Sequence, residues 1–128
     1  MTVRDCMTPN PQTIGTNDTL AMAQEKMTSG RFRRLPVVDA KGNLEGMLTD
    51  RDLREHKGYW ASTRVTAAMV EKPTTIGPDV PLEDAADLLL SRKIGGLPVV
   101  AEDGRLLGIL TETDVLKGLL RQVRGERS

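Results

Sequence analysis

A glycine followed three residues later by threonine, and three after that by aspartate, occurs at two places, Gly46-x-x-Thr49-x-x-Asp52 and Gly108-x-x-Thr111-x-x-Asp114. Two kinds of chemistry use this pattern. The first is local: the pair forms a capping box, in which the hydroxyl takes an orphan helix amide and the carboxylate reaches back to the amide of the cap residue. The second is recognition. A helix N-terminus presents free amides and the positive end of its dipole to a phosphate, and the hydroxyl adds a donor. The carboxylate repels phosphate, but it accepts from the vicinal hydroxyls of a ribose, as in dinucleotide folds. Hydroxyl for phosphate beside carboxylate for sugar describes a nucleotide. Gly46 and Gly108 allow close approach of a ligand or of another backbone.

Catalytic chemistry has little material to work with. The single cysteine, Cys6, excludes an internal disulfide and a Cys-based zinc site, and it reads as a small core hydrophobe. The single histidine, His56, excludes a multi-histidine metal site and reads as a solvated helix residue. No catalytic and no metal-binding residue is assigned. The 18 basic and 18 acidic residues balance, which disfavours general nucleic-acid binding. Phe32, Tyr59 and Trp60 are the only aromatics, too few for base-stacking platforms.

The elements that position the two pairs come from a duplication. Shifting the chain by 62 residues lays 3–54 on 65–116 without a gap and gives 19 identities in 52 pairs. Average composition would give about three. The matches gather at Pro11–Gly15 on Pro73–Gly77, Leu35–Val38 on Leu97–Val100, and Gly46–Asp52 on Gly108–Asp114. Repeat 1 takes residues 1–62, repeat 2 takes 63–124, and 125–128 are left as a tail. Two repeats are too few for a solenoid, so a closed pair about a pseudo-twofold axis is expected.

Each repeat reads as β-α-β-β-α, an α/β (α+β) fold. Thr13-Ile14 and Thr75-Ile76 sit in short β-prone pieces. A helix follows, N-capped by Asn17 or Asp79, with Pro81 in a first turn. Its buried stripe is Leu20, Ala23 and Met27, or Leu82, Ala85, Ala86, Leu89 and Leu90. Apolar strands Leu35–Asp39 and Leu97–Ala101 turn at Lys41-Gly42 and Asp103-Gly104 into return strands Leu44–Leu48 and Leu106–Leu110. The second helices begin at Thr49 and Thr111. Residues 58–64 connect the repeats, with Tyr59 and Trp60 capping a core edge. Residues 121–128 read as a frayed, charged tail.

Met7-Thr8-Pro9 before Pro11–Ile14, Leu35–Asp39, Gly46–Asp52, Leu97–Val100 and Gly108–Asp114 together resemble the CBS domain, and residues 1–124 resemble a tandem CBS pair, or Bateman module. The resemblance implies a regulatory, non-catalytic module that binds AMP, ADP or ATP, with S-adenosylmethionine or NAD in some members, and needs no cofactor. It implies two clefts, each built across the repeats. One joins Thr111, Thr113 and Asp114 to Thr13, Ile14, Arg34, Pro36 and Val37. The other joins Thr49, Arg51 and Asp52 to Thr75, Ile76, Gly96, Pro98 and Val99. Asp52 and Asp114 would hold ribose. Thr49, Arg51, Thr111 and Thr113 would face phosphate. Thr13, Ile14, Thr75 and Ile76, with the prolines and valines, would frame adenine.

The copies differ before Leu-Pro: Arg31-Phe32-Arg33-Arg34 in repeat 1, Lys93-Ile94-Gly95-Gly96 in repeat 2. The arginines are either solvated charges or a phosphate clamp, since a guanidinium matches phosphate bidentately. Phe32 reads as packed. The alternative to ligand sensing is a structural dimerisation module with degenerate clefts; an enzyme fits worst, with no base paired to a nucleophile. A homodimer is expected through the helices, where Met22, Met27, Leu88, Leu116, Leu119 and Leu120 exceed one narrow core stripe. An effector partner of unknown identity would receive the output. With no run of the roughly 18 apolar residues a membrane helix needs, and no apolar signal stretch at Met1–Asp5, the expected location is cytoplasmic.

Overall fold

The computed structural model of the chain describes residues 1–125. In chain order the elements are α1 (Val3–Cys6), β1 (Thr8–Pro9), β2 (Ile14–Gly15), α2 (Leu20–Gly30), β3 (Arg34–Val38), β4 (Leu44–Thr49) and α3 (Asp50–Glu55). After a 3-10 turn at Val65–Ala67 come β5 (Val70–Glu71), α4 (Leu82–Arg92), β6 (Gly96–Val100), β7 (Leu106–Thr111) and α5 (Glu112–Val123). The mixed α+β class is as the sequence predicts, with Ile76 serving as a single bridge to Val99 at the start of the second repeat. Each repeat opens with a short helical turn and a two-residue strand beyond the β-α-β-β-α order expected from the sequence.

The chain folds into two compact units. Gln12–Pro73 forms one; Met1–Pro11 and Thr74–Ser128 form the other. In the unit of residues 12–73 the strand order is β2-β3-β4-β5, with β2 parallel to β3 and the rest antiparallel. In the other unit the order is β1-β7-β6, all antiparallel. The opening segment of repeat 1 therefore completes the sheet of the second hairpin, and the opening segment of repeat 2 completes the sheet of the first.

Burial explains the exchange. Val3 is fully buried among Leu82, Leu97 and Leu110, and its repeat counterpart Val65 is fully buried among Leu20, Leu35 and Leu48. Each valine anchors a segment whose short strand then pairs along a hairpin edge. Gly108 and Gly46 make the pairing possible. A Cβ on Gly108 would stand 2.7 Å from the Thr8 carbonyl oxygen, and one on Gly46 would stand 2.8 Å from that of Val70. The close approach at these glycines is thus to another backbone.

The helices follow their apolar stripes, with local corrections. Leu20, Ala23 and Met27 of α2 are buried, as are Leu82, Ala85 and Leu89 of α4. Leu90 is 77% exposed and Ala86 half-buried, so the α4 stripe is narrower than expected. The N-caps are Thr19 and Pro81, not Asn17 and Asp79. Asp18 is drawn back to accept from Gly15 N–H at 2.8 Å, and Thr19 Oγ1 accepts from Met22 N–H at 3.3 Å. The strands run Arg34–Val38 and Gly96–Val100, one residue earlier than read, and Thr49 and Thr111 end the return strands as N-caps.

His56 is the half-buried C-cap of α3, with Nδ1 3.1 Å from the Asp52 carbonyl oxygen, and is not a solvated helix residue. Trp60 packs on the core and donates to the Leu53 carbonyl at 2.7 Å, but Tyr59 is 70% exposed and caps nothing. Phe32 is half-buried against the core of residues 12–73. Cys6 is half-buried beside the other core. The expected tail is shorter than read, because α5 continues through Val123; residues 126–128 of that expectation lie outside the described residues. Among the described residues no helix is long and apolar enough to cross a membrane.

Both long first helices end on a residue in left-handed conformation, Arg31 (φ 57°) and Lys93 (φ 54°). An L side chain there costs about 1–2 kcal/mol, whereas glycine enters the region freely. Lys93→Gly and Arg31→Gly should each stabilise the fold by about 0.5–1 kcal/mol, after the lost helix-end charge and the freer unfolded chain are counted. Thermal melts should show a rise of about 2–4 °C for a domain of this size. A lower Tm in both variants would mean that these side chains hold more than a helix end.

Candidate functional site

The Thr-x-x-Asp pairs stand where the inner hairpin strand of each unit meets a helix. Strand β4 is buried through Gly46, Met47 and Leu48, and β7 through Gly108, Ile109 and Leu110. Each strand delivers its threonine, half-buried, to the rim of the sheet. There the chain turns into α3 or α5 and the capping box closes. Thr49 N–H donates to Asp52 Oδ2 at 2.8 Å, and Asp52 N–H donates to Thr49 Oγ1 at 3.3 Å. Thr111 N–H donates to Asp114 Oδ2 at 3.0 Å, and Asp114 N–H donates to Thr111 Oγ1 at 3.2 Å. Thr49 adds a hydroxyl bond to the same Oδ2 at 3.0 Å. The bonds that reach each carboxylate fall on one oxygen, Oδ2. The other oxygen of each half-buried aspartate keeps its lone pairs for hydroxyl donors beyond the cap.

Register sets Arg34 and Gly96 beside the junction of their own unit, whereas the resemblance pairs Arg34 with Thr111 and Gly96 with Thr49. In the unit of residues 12–73, Arg34 stands opposite Thr49 on the antiparallel neighbour, and Ile14 pairs with Val37. In the other unit, Gly96 stands opposite Thr111, and Ile76 pairs with Val99. Pro36, Val37, Pro98 and Val99 are buried, so their contribution at a ligand surface is backbone and strand position more than exposed side chain. Thr13 is half-buried while Thr75 and Thr113 are exposed.

The cations differ in use. Arg51 is 79% exposed and pairs with Glu55 at 3.6 Å, an exposed i,i+4 contact of small energetic weight. Arg54 pairs with Asp50 at 3.2 Å. Arg31, Arg33 and Arg34 make no ion pair among the described residues; Arg31 and Arg33 are exposed, and Arg34 is half-buried on β3. Of the three, Arg34 has a half-buried side chain on the strand opposite Thr49, and Arg33 meets the same junction through its carbonyl, which accepts from Asp50 N–H at 2.8 Å.

One residue near the junctions escaped the sequence reading. Lys26 Nζ donates to the Thr13 carbonyl at 2.7 Å and so fixes the start of β2. Its repeat counterpart is Leu88, so the exchange of a leucine for a lysine on a core-flanking helix face was the available signal. Elsewhere the shifted carboxylates serve turns. Asp5 is held below the ordinary aspartate range chiefly by the Thr2 backbone N–H, and Asp39 by that of Asn43 in the hairpin turn.

With this geometry in view, comparison with known proteins is specific. The CBS domain family matches residues 3–58 and 65–121. A CBS domain-containing protein of Dictyostelium discoideum is 34% identical, covering 93% of this chain and 91% of its own length. Inosine-5'-monophosphate dehydrogenase of Methanocaldococcus jannaschii is 31% identical over 82% of this chain but only 21% of the enzyme. Among solved structures, CBSX2 in complex with AMP superposes with a TM-score of 0.85 at 34% identity, covering 96% of this chain and 98% of that one. The CBS domain pair of protein MJ0100, in complex with 5'-methylthioadenosine and S-adenosyl-L-methionine, does so with a TM-score of 0.84 at 25% identity, covering 93% and 99%. Two family matches, a relative aligned nearly end to end and the shared fold agree: the chain belongs to the CBS domain family, as a tandem CBS pair.

Proposed function

We propose that the chain is a regulatory, non-catalytic module that binds an adenine nucleotide, AMP, ADP or ATP, at its Thr-x-x-Asp junctions, in the pairing of junction and strand entrance that the family resemblance implies. The observation that carries this reading is the duplicated junction itself. Both aspartates are fixed by the same two-bond box, each with one oxygen committed to the cap and one left to accept. What sets these two junctions apart from the like box of Thr2 and Asp5 on α1 is their repetition in register, each at the end of a buried strand. The AMP complex of a 34% identical CBS pair supports the same ligand class. In this reading Asp52 and Asp114 take ribose, Thr49, Arg51, Thr111, Thr113 and Arg34 face phosphate, and Thr13, Ile14, Thr75, Ile76, Gly96 and the Pro-Val pairs frame the base. A ligand then shifts whichever equilibrium it binds unequally, and the signal leaves through a partner or through self-assembly.

Each unit leaves apolar side chains exposed, Met22 at 46% in that of residues 12–73, and Leu90, Leu116, Leu120 and Val123 at 77%, 63%, 50% and 84% in that of the second hairpin. The apolar excess thus lies partly on residues other than those expected. Met27 is buried in its own core, and Leu88 and Leu119 are half-buried against theirs. The proposed homodimer should scatter light at about twice 14.0 kDa at micromolar concentration, and a solely monomeric species would remove it.

The deciding experiment for the ligand is a thermal-shift screen with AMP, ADP, ATP, NAD and S-adenosylmethionine, with and without magnesium. A rise with one adenosyl compound and none with guanosine analogues is expected. No rise with any of them leaves the dimerisation module. Within the leading reading, Arg34→Ala should weaken nucleotide binding by about tenfold or more, with a smaller loss at high salt. Calorimetric titration at two salt concentrations checks this, and an unchanged affinity takes Arg34 out of the site.

A further inference from the structure

Beyond the junctions, one groove in the unit containing the second hairpin gathers three cations that make no ion pair among the described residues. It measures about 390 Å³ and lies between α1 and α5, lined by Asp5, Cys6, Asp114, Lys117, Arg121 and Arg124 among others. Residues 114, 117, 121 and 124 follow the three- and four-residue spacing that places side chains on one helix face.

Each of the two carboxylates in this groove has one oxygen engaged in a helix cap. Asp5 Oδ2 accepts from Thr2 N–H at 2.8 Å, and Asp114 Oδ2 accepts from Thr111 N–H at 3.0 Å. Among the described residues Lys117, Arg121 and Arg124 form no close pair, although the charge of Arg121 acts on Asp5 through space. Arg121 Nη2 reaches only Cys6 Sγ, at 3.5 Å, a weak acceptor. Arg121 Nε is buried with no hydrogen-bond partner among the described residues. An orphaned buried donor on a charged group is expensive unless something accepts from it. The first repeat offers no counterpart, since Glu55, Tyr59 and Ser62 stand where Lys117, Arg121 and Arg124 stand in the second.

We propose that this groove is a second binding site, specific to the second repeat, for a compact multivalent oxyanion of the phosphate or pyrophosphate class. The exposed Lys117 and Arg124 and the half-buried Arg121 line it and supply the positive charge. Asp114 is shared: its carboxylate forms one wall of the groove and also serves the junction. An anion in the groove sits near that like charge, so anion and carboxylate oppose one another.

This shared wall gives a test with opposite signs. Inorganic pyrophosphate is titrated calorimetrically into the full chain in a phosphate-free buffer at low ionic strength. Saturable binding is expected, and Lys117→Gln with Arg124→Gln should weaken it at least tenfold, while a melt confirms that the fold is kept. Asp114→Asn should tighten pyrophosphate about two- to fivefold by removing the like charge, yet weaken an adenosyl ligand if the junction binds ribose. Tighter pyrophosphate with unchanged adenosyl binding would keep the groove and overturn the nucleotide reading of the junction. The reverse pattern would keep the junction and overturn the groove. Absence of saturable pyrophosphate binding, or equal binding by wild type and the double variant, also overturns it. Displacement of pyrophosphate by ATP but not by AMP assigns the groove to the phosphate tail of a nucleotide; simultaneous binding of both assigns it to a free anion.

Discussion

Asp114→Asn and Asp52→Asn should weaken adenosyl-ligand binding by about ten- to a hundredfold. The asparagine side-chain oxygen can still accept from Thr111 or Thr49 N–H, so much of the cap survives. The other position becomes an NH2 donor facing ribose hydroxyls that are themselves donors. A charge-assisted hydrogen bond contributes about 1.5–3 kcal/mol, and each 1.4 kcal/mol is a factor of ten in affinity. Stability should fall much less, by about 0.5–1 kcal/mol, because the helix loses a favourable negative charge in its first turn. The matched controls are Thr111→Ala and Thr49→Ala, which remove the hydroxyl that accepts from the aspartate amide and should lower the Tm more clearly. Titration beside a melt separates binding from capping. If both asparagine variants lose Tm and keep full affinity, the aspartates are caps and the ribose assignment falls.

The same double use explains why the junction was legible in the sequence while its meaning was not. A capping box and a ribose ligand require the same residue types at the same spacing, and only repetition of the pair in register distinguished it from an ordinary helix start. The hairpins were legible for a firmer reason. Apolar runs flank turns in which Gly42 and Gly104 take φ values of 87° and 89°, which few other residues adopt readily. The helices were placed correctly and their caps were not. Asn17 and Asp79 have suitable side chains, but the backbone decides: Leu20 N–H donates to the Thr63 carbonyl and Leu82 N–H to that of Met1, so the chain is still extended two residues later than expected. Those partners are distant in sequence and leave no local trace.

Distance also hid what surrounds the junctions. Lys26, which holds the Thr13 carbonyl, reads locally as one more solvated lysine on α2. Arg121 reads locally as the start of a charged tail. Only the packing of α1 against α5 puts its guanidinium next to Cys6 and buries Nε. The exchange of opening segments was the largest omission. A two-residue strand cannot show a period, and Val3 lies among polar residues in Met1–Asp5. The signal that did exist was indirect: a glycine in each return strand, conserving space for something to come close.

That exchange is the basis of the largest expected loss of stability. Gly108→Val should cost about 3 kcal/mol or more, and Gly46→Val a similar amount. At Gly108 the first side-chain atom would meet the Thr8 carbonyl oxygen at 2.7 Å and Met7 Sδ at 2.7 Å. The methionine can swing aside. The carbonyl cannot, because Thr8 and Pro9 are paired to Ile109 and Gly108, and the same segment buries Val3 in the core. Relieving the clash means peeling β1 from β7 and drawing the anchor valine with it. Met7→Ala combined with Gly108→Ala should therefore recover only part of what Gly108→Ala loses. Gly104→Ala is the comparison, since nothing stands within 4 Å of its added carbon and only its φ of 89° opposes the substitution. It should cost about 1 kcal/mol. Denaturant unfolding of the three variants orders them as Gly108→Val, then Gly108→Ala, then Gly104→Ala in decreasing loss. If Gly104→Ala proves the most damaging, or Gly108→Val melts like wild type, then β1 does not lie against β7 and the exchange of segments is refuted.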